Sequence, residues 1–147
     1  MRFYHTFTRA KLLGILSALL LLLLLVGQFV SAKTERNAAT HALRISYIER
    51  LGYRVDEQNA TCKQVRVPEK FSPVYERYNA LQKAAGFDLS DDGGCEVTVY
   101  SYPLAENPNR IVNLMVYDGS VIGGDVSDTA LGGQMLPLTE RKEESRK

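Results

Sequence analysis

The chain has 147 residues with 18 basic and 17 acidic side chains, a formal net charge of +1. So even a balance leaves no electrostatic footprint for nucleic acid. The residues beyond the N-terminal apolar run are enough for one hydrophobic core and too few for two.

Residues 1–11 carry Arg2, Arg9 and Lys11 and no acid, a positively charged n-region expected to stay in the cytoplasm. From Leu12 to Val30 no residue is charged, and Leu19 to Leu25 are seven consecutive leucines. As a helix the run would extend roughly 28 Å, close to the hydrocarbon thickness of a bilayer. A transmembrane helix is expected over 12–32, acting as a single-pass signal anchor with the C-terminal part outside the cytoplasm. The alternative is a signal peptide cleaved after Ala32, where Val30-Ser31-Ala32 satisfies the small-residue rule. The run is longer than the usual h-region, which favours the anchor.

Residues 33–138 then read as one extracytoplasmic domain. "TERNAATHALRISYIERLG" has Ala38, Ala42, Ile45 and Ile48 at helical spacing, with Thr34 or Asn37 as cap and Gly52 as stop. "CKQVRV" alternates as a half-buried strand. In "SPVYERYNALQKAAGF", Ser72-Pro73 is a helix start and Gly86 a helix end. Phe71, Val74, Tyr75, Tyr78, Leu81 and Ala85 form its expected apolar stripe. Three strands come next, "CEVTVYSY", "RIVNLMVY" and "SVIGGDV". Asp118-Gly119 between the last two is a two-residue hairpin turn, because both positions of a type I′ turn need positive φ. Gly123-Gly124 inside a strand points to a bulge or a close backbone approach. Residues 139–147, rich in charge, read as a disordered tail. The expected fold is α+β, with two helices on a mainly antiparallel sheet in the order α-β-α-β-β-β.

The chemistry-bearing residues are few. Cys62 and Cys95 are the only thiols, and an even count outside the cytoplasm favours a disulfide over two unpaired cysteines. Neither has the neighbouring Cys or His that a zinc site needs. Asp88, Ser90, Asp92 and Gly93 match the first half of a calcium-binding EF-hand loop. The match fails at its last position, Val99, where a bidentate Glu belongs, so they are weak metal candidates and a polar loop is the simpler reading. His41 is the one histidine beyond the apolar run, so no nucleophile–base set can be assembled around it. Asp125 and Asp128 are a carboxylate pair of little specificity. Neither a catalytic residue nor a cofactor is called for.

Four stretches taken together, "RISYIERLGYRV", "VRVPEKFSPVYERYNALQKAAGFDLS", "NLMVYDGSVIGGDV" and "LGGQMLPL", resemble a bacterial domain of unknown function, family 4830. The resemblance spans nearly all of residues 44–138. It implies one N-terminal membrane segment, an external domain of this α+β order, and envelope location. No activity, ligand or catalytic residue comes with it. The family does not generally carry cysteines matching Cys62 and Cys95, so a bridge would be particular to this chain.

The expected function is a membrane-anchored extracytoplasmic binding or interaction module, not an enzyme. Its expected partners are the membrane, through a single span, and an envelope protein. Two alternatives stand beside it, a small metal-assisted hydrolase needing clustered carboxylates and a calcium-stabilised structural domain centred on Asp88, Ser90 and Asp92.

Overall fold

The computed structural model describes residues 14–25 and 36–139. Chain contacts divide the protein into two units, residues 1–35 and 36–147. In the first unit residues 14–25 form a helix, α1, roughly 18 Å long at the α-helical rise. No helix among the described residues is long and apolar enough to cross a membrane. The rest of the expected span over 12–32 lies outside the described residues, as do the basic segment 1–11 and residues 140–147 of the tail.

The second unit is α+β. Its elements are α2 (His41–Arg50), β1 (Thr61–Arg66), α3 (Pro73–Ala84), a 3₁₀ turn (Leu89–Asp92), β2 (Glu96–Pro103), β3 (Arg110–Tyr117), β4 (Ser120–Asp128) and β5 (Met135–Pro137). The five strands form one antiparallel sheet in the order β1-β2-β3-β4-β5, a meander with no crossover. The expected order is therefore corrected by one strand and one 3₁₀ turn. β5 is three residues long and ends at a proline, too short to carry a period-two signal of its own. It is a strand because β4 offers it a partner, Val126 opposite Leu136.

The sheet is buried on both faces, and the pleat decides which residue faces which helix. Tyr102, Val112, Leu114, Val116, Val121 and Val126 pack with Ile45, Tyr47 and Ile48 of α2. Val97, Val99 and Met115 face the other way and pack with Leu89, Phe71 and the α3 residues Tyr75 and Tyr78. The apolar runs in β3 and β4 result from this double cover.

α2 begins later than its periodicity suggests. Thr40 is its cap, accepting from Leu43 N at 3.3 Å, in place of Thr34 or Asn37. Residues 36–38 are extended against the start of β4 instead: Val121 N donates to Arg36 O, and Ala38 N donates to Gly119 O, each at 2.8 Å. Gly52, at φ +87, ends the helix. α3 starts at Ser72, whose side chain accepts from Tyr75 N at 3.3 Å ahead of Pro73. It stops where Gly86 turns left-handed, at φ +83.

The expected apolar stripe of α3 holds in part, since Phe71, Tyr75 and Tyr78 pack against the sheet, and is corrected at Val74. Val74 is 67 % exposed, whereas the buried residues of the helix are Asn79 and Gln82. A hydrophobic count misses this face because both buried side chains are polar and carry hydrogen bonds to main chain.

The Cys62–Cys95 bridge is corrected too, since both thiols are free. Cys62 stands opposite Tyr100 in the β1–β2 ladder, and Cys95 lies five positions further along. At the rise of a strand that is about 17 Å, far beyond the roughly 7 Å a disulfide spans between Cα atoms.

Candidate functional site

Cross-strand register places Ser101, Asn113 and Asp125 in one row over β2, β3 and β4, on the face that α3 covers. Their side chains form a chain of hydrogen bonds. Ser101 Oγ donates to Asn113 Oδ1 at 2.7 Å, and Asn113 Nδ2 donates to Asp125 Oδ1 at 2.9 Å. Ser127 Oγ donates to the same oxygen, and Tyr78 OH reaches down from α3 to Asp125 Oδ2 at 3.0 Å. Asp125 is only 3 % exposed. A carboxyl so deeply buried needs this set of donors, because an unsatisfied one would be strongly unfavourable.

Burial pushes the Tyr78 phenol well above its ordinary value, and the negative charge of Asp125 adds to that. Tyr78 therefore keeps its proton and acts as a fixed donor. Ser101 and Ser127 also point their hydroxyls into the network, and among the described residues no histidine is hydrogen-bonded to either hydroxyl. The row orients groups and locks α3 to the sheet.

Gly123 allows α3 to come that close, and Gly124 allows β3 to lie tightly against β4. A Cβ on Gly124 would lie 2.3 Å from Asn113 O, and one on Gly123 would lie 2.9 Å from Gln82 Oε1. The register also shifts between Met115 and Val116, so β4 carries a bulge beside the two glycines. Both readings of the glycine pair, bulge and close approach, are realised. Gln82 uses the space: its Oε1 accepts from Gly124 N at 2.7 Å, while its buried Nε2 finds no partner among the described residues.

The residues singled out by sequence are dispersed. Asp88 caps the 3₁₀ turn and accepts from Asn79 Nδ2 at 2.8 Å, from Ser90 N at 3.0 Å and from Ser90 Oγ at 2.6 Å. Lys83 Nζ is 3.0 Å from its second oxygen. Asn79 above all, then Ser90, hold the Asp88 carboxyl well below the usual carboxylate range. Its oxygens thus serve the turn, with Ser90 as a donor to Asp88. Asp92 sits at the far end of the turn, pushed up by partial burial and by Asp91. No group of three or more His, Cys, Asp or Glu suited to a metal occurs among the described residues.

Asp125 and Asp128 are not brought together, because the pleat turns them to opposite faces. Asp128 pairs with Arg110 instead, at 2.9 Å. His41 is exposed and 3.3 Å from Glu57. Asp118 and Gly119 join β3 to β4, with φ of +45 and +71. Cys95 lies against Tyr117, whose phenol is pushed up first by a hydrogen bond to that thiol.

Sequence reasoning missed the Ser101–Asn113–Asp125 row. The one local sign was polar residues interrupting otherwise apolar strands, Asn113 in "RIVNLMVY" and Asp125 in "SVIGGDV".

The arrangement defines a small α+β domain, a five-stranded meander between helices on opposite faces, tied by a polar row under α3. Residues 47–126 match the model of the family described as Domain of unknown function (DUF4830), and the chain belongs to that family. The match runs from within α2 into β4, so it takes in Tyr78, Ser101, Asn113 and Asp125 and leaves out β5. No curated protein and no solved structure matches the chain.

Proposed function

We propose that this protein is a membrane-tethered extracytoplasmic interaction module, binding rather than catalytic, which takes an extended segment of an envelope protein along β1. The observation that carries this is the asymmetry of the two sheet edges. The β4–β5 side is closed three times over: by residues 36–38, by the Gln82 side chain on Gly124 N, and by β5. Among the described residues no strand pairs with the outer side of β1. Val67 donates to Cys95 O and accepts from Gly94 N, just ahead of β2, so by alternation the main-chain groups of Cys62, Gln64 and Arg66 point outward. Most of the strand is exposed.

A free strand edge is a template for strand addition. Lys63 and Arg66 on β1, with no acid beside them in the strand, suit an acidic incoming segment. The basic n-region and the leucine-rich run support the tether and the outward orientation of the domain.

Two experiments on the full-length protein in its cells test the two halves. Cys62 is an exposed free thiol, so a membrane-impermeant maleimide should label it in intact cells; labelling only after lysis overturns the placement. A photo-reactive residue at Lys63 should trap a discrete protein adduct. Gln64→Pro, which removes an outward N–H without touching the β1–β2 ladder, should abolish that adduct. An adduct unaffected by the proline, or none at all, overturns the binding edge.

A further inference from the structure

Given strand addition at β1, on which this rests, we infer that the incoming segment runs antiparallel and carries a bulky apolar side chain followed two residues later by an acidic one, set opposite Val65 and Lys63. Every pairing in the sheet is antiparallel, and that mode is the more stable per residue. The outward main-chain groups of Cys62, Gln64 and Arg66 make these residues the hydrogen-bonded pairs of such an addition. Lys63 and Val65 then stand at the non-hydrogen-bonded positions, where opposed Cα atoms are only about 4.5 Å apart and side chains come closest. Selection between incoming side chains is therefore strongest at these two residues.

The charges on β1 are not equivalent. Arg66 stands directly across from Glu96, so an acid already faces it on the same side of the sheet. Lys63 stands across from the apolar Val99. It is exposed, and none of the ion pairs among the described residues includes it. The cation without a facing acid is thus Lys63, and a carboxylate opposite it on an added strand forms a favourable cross-strand pair.

Val65 asks for the opposite chemistry. It is half-buried and packs in one cluster with Phe71 and Tyr75, whose ring centroids are 4.7 Å apart. Both rings are half-buried as well. A β-branched or aromatic side chain set opposite Val65 extends this cluster and removes more of its apolar area from water. Positions opposite Val65 and Lys63 are two residues apart on the incoming strand and share the α3 face. An antiparallel strand reaches Val65 first, so the segment reads apolar, then a residue turned to the other face opposite Gln64, then acidic, from its amino to its carboxyl end.

Fluorescence anisotropy with labelled peptides and the full-length protein in detergent tests this. The probes are Thr-Thr-Phe-Thr-Glu-Thr-Thr and its reverse, Thr-Thr-Glu-Thr-Phe-Thr-Thr, which match in composition and charge. The first should bind about three- to tenfold more tightly, because two cross-strand pairs separate them. Gln64→Pro should abolish that binding. Lys63→Glu, at an exposed position, should turn the preference toward the same peptide with lysine in place of glutamate. Equal affinity for the two probes, tighter binding of the reverse, or binding of neither overturns the register, as does a Lys63→Glu variant that still favours the acidic peptide. Strand addition itself is judged separately, by the adduct trapped in cells and its loss on Gln64→Pro.

Discussion

Tyr78 and Asp125 lie 47 positions apart in the chain and meet at 3.0 Å, phenol to carboxylate, where α3 crosses the sheet. Removing the hydroxyl alone leaves Asp125 Oδ2 buried without its donor. Tyr78→Phe should therefore destabilise the domain by about 1–3 kcal/mol despite adding no cavity. Urea unfolding checks this, with a lowered midpoint at unchanged slope as the expected result. An unchanged midpoint would mean that the hydroxyl is dispensable.

The strand glycine Gly124 and the helix-ending Gly86 should differ in a diagnostic way. At Gly124 an added methyl meets the Asn113 carbonyl, a main-chain atom that cannot step aside. At Gly86 the space is open, but φ is +83. Gly86→Ala should cost about 1–2 kcal/mol, the strain of a left-handed L-residue. Gly124→Ala should cost at least the upper end of about 1–3 kcal/mol, because it must move β3 from β4. Equal melting temperatures for the two variants would contradict the close approach.

Some of this was open to reading in the sequence. Ser72-Pro73 and Gly86 bound α3 because capping and a positive φ are decisions of a few adjacent residues. The polar row was not open to such reading. Ser101, Asn113 and Asp125 become neighbours only through the register of three strands, and register is a property of pairs of segments. The same holds for Asn79 and Gln82. Their burial depends on partners on the 3₁₀ turn and on β4, so a helix-by-helix hydrophobic count assigns them to solvent. Arg44 is the extreme case, a cation that any local reading leaves at the surface.

Asn79 supports the 3₁₀ turn from both ends of its amide. Nδ2 donates to Asp88 Oδ1, and Oδ1 accepts from Leu89 N at 2.8 Å. Leu89 is fully buried, so Asn79→Ala strands a buried main-chain N–H and should cost about 1–3 kcal/mol. Hydrogen exchange offers a residue-level check. The Leu89 amide should lose protection in the variant well before amides of β3 do.

Asp88 should give this turn an acid sensitivity of defined sign. Its folded-state carboxyl is held below the ordinary value of 3.8. A depressed value means the unfolded chain binds its proton first, so the contribution to stability is full above that ordinary value and fades as pH falls through the folded one. Asp88→Asn should melt lower than the wild type near neutrality. The gap should then close progressively below about pH 4. A gap that stays constant through the acid range would show that the charge on Asp88 plays no part.

The separation of Cys62 from Cys95 carries its own prediction about redox. Because the ladder holds them five positions apart, no rotamer can bring the sulfurs together without unzipping β1 from β2. The folded protein should melt at the same temperature with and without a reductant, and peptide mapping under oxidising conditions should recover no linked pair. Alkylation rates should differ, with exposed Cys62 reacting before half-buried Cys95. A linked pair recovered from native protein would require a different register for β1, and with it the loss of the open edge on which strand addition depends.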